Sequence, residues 1–189
     1  MKKIMMMAVL AAAATTAFAQ TAAQQAEEWG AKCEAEYQTF SKIYDEAQKS
    51  MVMKTPYDTL SMSNSLIKAF KYAYKCNEFD IQPNEKGKVK PKYQKKNRSR
   101  LMAARPQLVN AGLYFYNDRK DQASALEAWG LYVDAPTAPF FEGETFPEDK
   151  SMSEVAYFAS LAAYNQKDYE KAVRYANVAM KDPAKVNDA

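Results

Sequence analysis

Apolar side chains recur every three or four positions through most of this 189-residue chain, which is the spacing of amphipathic helices. The breaks between the periodic stretches contain proline, glycine or polar turn residues. β-branched residues are too scattered to indicate a sheet. The predicted helices span residues 22–50, 57–78, 91–117, 122–133, 152–165 and 169–181. The pattern therefore predicts an all-α fold.

Prolines and small polar residues mark where these helices begin and bend. Thr55 is the predicted N-cap of the second helix, and Pro56 fits its first position, where a missing N–H costs nothing. Pro106 predicts a bend in the third helix. Ser151 and Glu154 have the spacing of a capping box, which predicts the start of the fifth helix.

The segment 135–151 interrupts the helical pattern and carries three phenylalanines. Loops rarely leave several large aromatic side chains in water, because burying them is strongly favourable. We therefore expect this insert to fold back onto the helices. The three residues are Phe140, Phe141 and Phe146.

Residues 1–19 have the order of a secretory signal peptide. Lys2 and Lys3 provide a positive end, and an uncharged apolar run follows over Ile4–Ala14. A membrane anchor needs about 20 apolar residues, and this run is shorter. We predict cleavage after Ala19, with no membrane span in the rest of the chain. Residues 20–189 would then form one exported domain, periplasmic or secreted.

Charge and histidine content narrow the function further. Cleavage removes two of the 26 basic residues and none of the 23 acidic ones, which leaves a net charge of +1. The overall field therefore gives no reason to expect a nucleic-acid partner. The chain has no histidine, which removes the usual metal ligand and the base of a Ser-His-Asp triad. We predict no catalytic residue, no metal and no cofactor.

Eight basic residues lie between Lys86 and Arg100, with no acidic residue among them. Such a run is typical of a surface for nucleic acid or an acidic partner, and also of a solvated linker. Tyr93 is the one aromatic residue within it, so stacking on bases has little support. We favour a solvated linker that leads into the exposed start of the next helix.

Two cysteines remain in the exported chain, Cys33 and Cys76. If the first two helices fold back antiparallel, the sequence midpoint of the two cysteines falls on the turn near Thr55. This predicts that they lie at the same level of the hairpin. An oxidising compartment permits a disulfide. Two interpretations stay open: a Cys33–Cys76 disulfide, or two small residues buried between the helices.

An internal similarity is the most informative feature of the sequence. Two blocks, offset by 47 residues, each contain a helix, a tight polar turn, a second helix and a proline. Two short antiparallel helices cannot bury their apolar faces alone, so each pair requires its neighbours. The matched positions are Lys120-Asp121, Ala125 and Pro136 in one block and Lys167-Asp168, Ala172 and Pro183 in the other.

From Lys167 to Pro183 the chain resembles the tetratricopeptide repeat family. The similarity extends to Gly112–Phe115 with Trp129, although Gly112 lies one residue farther from Ala125 than the family spacing. The resemblance implies an irregular superhelix of helix pairs. The three pairs would span about 22–78, 91–134 and 152–181.

The resemblance also implies a function. Members of the family bind proteins or peptides in a groove lined by the first helix of each pair, and they seldom catalyse reactions. A non-catalytic scaffold or adaptor of the bacterial cell envelope is therefore the expected function. The candidate groove residues, chosen by helix and expected exposure, are Tyr114, Asn117, Tyr157, Tyr164 and Asn165.

Aromatic content supports a second hypothesis, binding of a carbohydrate or another small ligand. The chain has 13 tyrosines and 2 tryptophans, which are residues that stack on sugars. Tyrosine is also common between helices, so the count does not decide between the two hypotheses.

The last predicted helix carries several apolar residues, and only residues 182–189 of the given sequence come after it to cover them. Repeat arrays normally end in a helix with a polar outer face. We therefore expect a second copy of the chain, or further sequence, to cover this helix. The apolar residues are Tyr169, Val173, Ala176 and Met180.

Overall fold

The computed structural model describes residues 20–84 and 86–181 of the chain. The predicted signal peptide and its cleavage site at Ala19 lie outside these residues. Within them the protein is all-helical, as predicted, and contains no strand. No helix in these ranges has the length and apolar character needed to cross a membrane. The helices are α1 (Ala22–Met53), α2 (Thr59–Asp80), α3 (Gln94–Ala104), α4 (Gln107–Asn117), α5 (Gln122–Asp134), α6 (Met152–Asn165) and α7 (Tyr169–Ala179).

The long helix α1 begins at a capping box. The Thr21 hydroxyl accepts a hydrogen bond from the Gln24 backbone N–H at 3.2 Å, and the Gln24 side chain accepts one from the Thr21 N–H at 2.9 Å. These bonds satisfy N–H groups that have no partner within the helix. At the other end Lys54 takes a left-handed conformation, with φ of 52°, which stops the helix.

The start of α2 differs from the prediction. Its N-cap is Asp58, whose carboxylate accepts hydrogen bonds from the Ser61 N–H at 2.9 Å and the Ser61 hydroxyl at 2.6 Å. A carboxylate also interacts favourably with the positive end of the helix, which explains why Asp58 caps α2 instead of Thr55. Thr55 and Pro56 lie in the connection before it.

Helices α1 and α2 form an antiparallel hairpin with an offset along its axis. The Cys33 thiol donates to the Ala69 carbonyl oxygen at 3.4 Å, and the Cys76 thiol donates to the Ala26 carbonyl oxygen at 3.2 Å. Each pair lies at one level of the hairpin. In an antiparallel hairpin, each step back along α2 corresponds to one step forward along α1, so Thr59, the first residue of α2, lies opposite residue 43 of α1. Helix α1 therefore continues roughly 15 Å past the start of α2.

Pro106 breaks the third predicted helix into α3 and α4. The Leu108 N–H donates to the Arg105 carbonyl oxygen at 3.0 Å, which is a turn of three residues rather than four. Proline lacks an N–H, and its ring clashes with the carbonyl of the preceding turn. The predicted bend is therefore confirmed, as a complete interruption of the helix.

Helices that are adjacent in the sequence pair with each other in three hairpins. Helix α1 pairs with α2, α4 with α5, and α6 with α7. Helix α2 also contacts α3, α4 and α5, while α5 contacts α6. One continuous hydrophobic core therefore runs through all three hairpins, with Phe70, Leu101, Trp129 and Val155 among its buried residues.

The insert between α5 and α6 folds back onto α2, which confirms the prediction. Phe140 and Phe141 are buried and Phe146 is half-buried. The Phe141 ring centroid lies 6.4 Å from that of Phe70 in α2. Aromatic burial thus ties the insert to the first hairpin. Two 3₁₀ turns begin the insert, Ala135–Thr137 and Pro139–Phe141.

The predicted capping box at the start of α6 does not form. Ser151 is the N-cap, but its side chain makes no capping hydrogen bond within the described part of the chain. Its backbone has φ of −94° and ψ of −7°, whereas a capping serine needs an extended backbone to direct its hydroxyl at the helix. The Asp149 carboxylate accepts a hydrogen bond from the Ser151 N–H at 3.1 Å, which fixes the residue just before the helix.

Asp80, the last residue of α2, caps the start of α3. Helix α3 has no side-chain cap on its own N-cap residue. The Asp80 carboxylate accepts hydrogen bonds from three consecutive backbone N–H groups, at 2.8, 2.8 and 3.0 Å. This contact closes the loop that carries the exposed lysines. The three donors are Lys92, Tyr93 and Gln94.

Replacing Asp80 by alanine is expected to lower the free energy of unfolding by about 1–3 kcal/mol, because three N–H groups lose their acceptor. Trypsin should also cut the released loop after Lys86 or Lys88 faster than in the unaltered protein. Urea unfolding and timed digestion measure the two effects. Glu78→Ala, which removes an exposed ion pair on the same helix, is the control and should change little. Equal digestion rates for both variants would contradict the role of Asp80.

The two Lys-Asp turns that mark the internal repeat have the same construction. Lys120 and Lys167 both adopt left-handed backbones, with φ of 54° and 63°. Asp121 and Asp168 both cap the helix that follows, and each accepts from the N–H three residues later, at 3.1 and 3.2 Å. The repeated residues therefore perform the same task in both hairpins.

One turn is a residue longer than the other. The Asp121 N–H donates to the Phe115 carbonyl oxygen, six positions earlier, whereas the Asp168 N–H donates to the Ala163 carbonyl oxygen, five positions earlier. The first helices of the two hairpins therefore match at an offset of 48 and the second helices at 47. This extra residue explains the unusual spacing of Gly112. The residues matched at 48 include Leu113 with Leu161, Tyr116 with Tyr164 and Asn117 with Asn165.

Candidate binding groove

A groove of about 620 Å³ lies between the C-terminal part of α1, the start of α2 and α4. The overhanging end of α1 contributes one side and α4 contributes another, with the first turns of α2 between them. If α1 ended opposite the start of α2, it would not reach the part of α4 that lines the groove. The groove therefore follows from the register of the first hairpin.

Amides, tyrosines and apolar side chains line this groove together. Within the described residues, Asp118 is its one charged lining residue. Such a lining combines hydrogen-bonding groups with apolar contact area, as ligand sites generally do. The amides are Gln48, Gln107, Asn110 and Asn117, the tyrosines are Tyr44, Tyr57 and Tyr114, and the apolar residues include Met51, Met62 and Leu113.

A chain of hydrogen bonds orients three of these side chains. The Gln107 amide donates to the Tyr44 hydroxyl at 3.3 Å, and the Asn110 amide donates to the Gln107 side-chain oxygen at 2.9 Å. Tyr44 keeps its O–H as a donor, and Asn110 keeps its side-chain oxygen as an acceptor. A peptide bond or a sugar hydroxyl can match both groups.

Ser63 places a buried polar atom at the groove. The residue is 2% exposed, and its hydroxyl has no hydrogen-bond partner among the residues that the structure describes. Leaving a buried polar group unsatisfied costs about 1–3 kcal/mol. Solvent does not reach this hydroxyl in the structure, so a ligand in the groove would bond to it only after the neighbouring side chains moved aside.

The structure brings together two of the five groove residues that the sequence suggests. Tyr114 and Asn117 line the groove. Tyr157, Tyr164 and Asn165 lie on α6, outside it. Helix α6 packs on α5 and α7, so its surface continues away from the first hairpin.

The sequence pattern did not point to the contribution of α1 and α2, of which Met51 and Ser63 are examples. One signal was available. Met51, Val52 and Met53 form an apolar run at the end of a helix, and they are 71% to 85% exposed. Apolar residues that a helix leaves in water indicate a contact surface.

The basic run divides into three residues whose side chains contact other elements and five exposed residues. Lys96 and Arg100 form ion pairs with Glu34 of α1, at 2.7 and 2.6 Å. Arg98 donates to the Phe140 carbonyl oxygen in the insert. These three contacts tie α3 to α1 and to the insert, although Lys96 is itself exposed. The other five residues are exposed, as expected for a solvated linker. The exposed residues are Lys86, Lys88, Lys90, Lys92 and Lys95.

The Glu34 ion pairs predict a loss of stability in acid. The hydrogen bond from Lys96, with a further one from Arg100, lowers the pKa of Glu34 to about 2 in spite of burial, which raises it. Since the folded-state pKa lies below the ordinary value of 4.5, the contribution is complete above pH 4.5 and disappears as the pH falls toward 2. The Glu34 side chain is 35% exposed, so screening limits the effect to about 1 kcal/mol.

Urea unfolding at pH 6 and pH 3 tests this prediction. Glu34→Gln should cost more stability at pH 6 than at pH 3, because part of the carboxylate's contribution in the unaltered protein is lost once the pH falls below 4.5. Glu46→Gln, a neutralisation on the same helix, is the control. An equal loss at both pH values would show that Glu34 is not responsible.

Cys33 and Cys76 are free thiols, buried between α1 and α2. They do not share a level of the hairpin. Ala69, which faces Cys33, lies seven positions from Cys76, or about 10 Å along the helix. A disulfide requires Cα atoms within about 7 Å. Because α1 extends past the start of α2, the two cysteines are not opposite each other in the hairpin. The prediction that they lie at the same level is therefore wrong, and the structure contains no Cys33–Cys76 bond.

Burial raises the pKa of both thiols, and that of Cys76 to about 12. Neither cysteine therefore forms a thiolate at neutral pH, and we expect negligible alkylation by iodoacetamide in the native protein. After unfolding in urea without a reductant, both thiols should be alkylated. Mass spectrometry of the intact chain counts the added groups. If the unfolded chain is alkylated only after a reductant is added, the cysteines form a disulfide, which would contradict the structure.

Ionisable residues give no second candidate for a site. In the ranges 20–84 and 86–181, no group of three or more Asp, Glu, Cys or His side chains is arranged to hold a metal ion. The best-connected polar cluster, formed by Arg105, Tyr132 and Asp149, is mostly buried and directed at structural contacts. The groove is therefore the site on which a functional argument can be built.

Comparison of the chain with protein-family models, curated proteins and solved structures finds no match. The resemblance to tetratricopeptide repeats consequently depends on the residues of this chain, above all on the two matched hairpins. Any function has to be argued from the groove and the repeat themselves.

Proposed function

We propose that this protein is a non-catalytic scaffold of the bacterial cell envelope that binds a protein or peptide partner. The observation that carries the proposal is the groove between α1, α2 and α4, with its amide and apolar lining. The signal-peptide pattern of residues 1–19 supports export. The matched hairpins support a relation to tetratricopeptide repeats, which bind peptides between helix pairs.

The lining favours a peptide segment with few acidic residues. Asn110 and Gln107 offer amide groups that pair with backbone N–H and C=O groups. Met62 and Leu113 offer contact area for an apolar side chain. Asp118 is the one charge in the described lining and would repel an acidic segment. The ligand is accordingly a neutral or basic peptide with at least one apolar anchor.

Selection from a random peptide library against residues 20–189 tests the proposal. Peptides selected on the unaltered protein should bind Leu113→Glu at least about tenfold more weakly, because a carboxylate in the groove must lose its hydration. Val89→Glu introduces the same charge on an exposed loop residue outside the groove and is the matched control. Thermal unfolding checks that both variants fold. Equal binding to both variants, or no selected peptide, would reject peptide binding in this groove.

A carbohydrate is the second candidate, supported by the three tyrosines among the groove amides. Tyr57 is 39% exposed, so its ring offers an accessible face for stacking. Calorimetric titration with neutral oligosaccharides separates the two functions. Saturable sugar binding that is lost in Tyr57→Ala, together with no selected peptide, would reverse the ranking.

A further inference from the structure

The end of α1 that extends past the start of α2 leaves three consecutive apolar residues in water. Met51, Val52 and Met53 are 80%, 85% and 71% exposed. Elsewhere in the described residues, exposed large apolar side chains stand singly along the chain, and none is as exposed as Val52. The connection that follows, as far as Asp58, is exposed as well. We call residues 51–57 the tip of the first hairpin.

The three apolar side chains of the tip point in different directions. Successive residues of an α-helix lie about 100° apart around its axis, so Met51, Val52 and Met53 together cover about 200°. A partner helix contacts residues three or four positions apart on one face, and it would leave at least one of the three in water. A lipid surface is fluid and can close around a protruding end from all sides. The arrangement therefore fits a membrane interface better than a packed helix.

Positive charge flanks the apolar residues. Lys49 and Lys54 stand on either side of them, and neither forms an ion pair with another described residue. On α1 the nearest acidic residue, Glu46, lies six positions before Val52, about 9 Å along the axis. Asp58 caps α2, and α1 continues roughly 15 Å past that level. The charge nearest the tip therefore complements anionic lipid headgroups.

The tip also satisfies part of its own backbone. The Lys54 N–H donates to the Ser50 carbonyl oxygen at 2.7 Å, and the Ser50 hydroxyl donates to the Thr55 carbonyl oxygen. Pro56 has no N–H to satisfy. Unpaired backbone groups are costly in an apolar phase, so these features make it easier to move the tip out of water. Tyr57 adds a half-exposed aromatic side chain of the kind that collects at membrane interfaces.

We propose that the tip of the first hairpin inserts into the surface of a membrane that contains anionic lipids. Met51, Val52 and Met53 enter the boundary of the acyl chains, while Lys49 and Lys54 extend to the headgroups. The contact is peripheral, since no helix of the described ranges is long and apolar enough to cross a membrane. It would hold the neighbouring groove close to the lipid surface.

This contact is separable from peptide binding in the groove. Val52 and Met53 do not line the groove. Val52→Glu should therefore leave the affinity for selected peptides unchanged, and Leu113→Glu should leave membrane binding unchanged. Failure of one proposal is thus distinguishable from failure of the other.

Sedimentation with lipid vesicles tests the proposal. Residues 20–189 should sediment with vesicles of equimolar phosphatidylcholine and phosphatidylglycerol, and much less with phosphatidylcholine alone. Val52→Glu should weaken binding to the anionic vesicles at least about tenfold, because the new carboxylate would have to lose its hydration. Val173→Glu places the same charge at an exposed valine of α7 and is the matched control, which should bind normally. Circular dichroism checks that both variants fold.

The flanking lysines provide a separate measurement of the electrostatic part. Lys49→Gln and Lys54→Gln should each weaken binding to the anionic vesicles by about fivefold, because an anionic surface attracts every nearby lysine. Binding to phosphatidylcholine alone should change little.

A fluorescent label locates the contact on the chain. Val52→Cys and Val173→Cys each introduce one accessible thiol, whereas Cys33 and Cys76 are buried. An environment-sensitive dye at position 52 should shift its emission to shorter wavelength when anionic vesicles are added. The same dye at position 173 should not respond.

Three results would overturn the proposal. The first is no binding to either kind of vesicle, or equal binding of Val52→Glu and the unaltered protein. The second is binding that is lost only when Lys86, Lys88 and Lys90 are changed to glutamine, since the basic loop at the other end of the hairpin would then be the contact. The third is a dimer in light scattering that Val52→Glu dissociates, because a second copy of the chain would then cover the tip.

Discussion

Asp149→Ala is expected to destabilise the protein by about 3–5 kcal/mol, because it leaves the Arg105 guanidinium buried without a counter-charge. Arg105 is 5% exposed. Its Nη2 donates to the Asp149 carboxylate at 2.7 Å and its Nε donates to the Tyr132 carbonyl oxygen at 2.9 Å. The Tyr132 hydroxyl donates to the same carboxylate at 2.7 Å. Asp149 therefore satisfies a charge and a hydroxyl at once.

The same cluster connects three parts of the fold. Arg105 stands at the break between α3 and α4, Tyr132 lies on α5, and Asp149 lies at the end of the insert. The guanidinium carbon lies 3.8 Å from the Tyr132 ring centroid, so the cation also stacks on the ring. Losing Asp149 should release the insert as well as weaken the core.

Urea unfolding of Asp149→Ala, with Glu148→Ala as a neighbouring exposed control, measures the effect. Adding Arg105→Met to Asp149→Ala should recover part of the loss, because the unpaired buried charge is then removed. A loss below about 1 kcal/mol, or no recovery in the double variant, would show that the pair contributes no more than a surface ion pair.

The contribution of the Arg105–Asp149 pair to stability should also decrease at low pH. Burial raises the pKa of Asp149, but the hydrogen bonds from Tyr132 and Arg105 outweigh it and hold the pKa below the ordinary 3.8. A lowered folded-state pKa contributes stability above pH 3.8 that is lost as the pH falls below it. The difference in stability between the unaltered protein and Asp149→Ala should consequently narrow below that pH.

Gly112→Ala is expected to destabilise the protein by about 1–3 kcal/mol, because it overpacks the contact between α4 and α5. A Cβ atom at Gly112 would lie 2.1 Å from Nε1 of Trp129, whose side chain is buried. In an open helix the same change would stabilise by about 0.5–1 kcal/mol, since alanine loses less backbone entropy than glycine. A loss of stability in Gly112→Ala would therefore support the close approach of α4 and α5 seen in the structure, and a gain would contradict it.

A double-variant cycle isolates the steric cause. Trp129→Phe alone should cost stability by leaving a cavity. Gly112→Ala combined with Trp129→Phe should cost about 1 kcal/mol less than the sum of the two single changes, because the smaller ring makes room for the methyl group. Thermal unfolding followed by circular dichroism provides the three values. Additive losses would contradict a direct clash between the two residues.

Local features of the fold were predictable because their causes are local. The 3.6-residue period predicted the helices, and Pro106 predicted the interruption between α3 and α4, since proline acts on its own turn. The Lys120-Asp121 and Lys167-Asp168 turns were recognisable for the same reason. Capping was less predictable where two candidates competed, as Asp58 and Thr55 did at α2.

The candidate site could be predicted only in part. Tyr114 and Asn117 were found because their helix was recognisable as the first of a repeated pair. Met51 and Ser63 were not predicted, because their place in the groove depends on how far α1 extends past the start of α2. The register of two packed helices is set by side-chain contacts along their full length, and no short segment encodes it.

The sequence by itself determined that this protein is helical, where most of its helices begin and end, and that two of its hairpins are related. Only the tertiary structure decided the offset of α1 against α2, and with it the groove and the separation of Cys33 from Cys76. It also decided that Val173 of α7 is exposed, whereas Leu126, at the matched position of α5, is buried. Exposure depends on what packs against a helix, and that is a property of its neighbours rather than of its own residues.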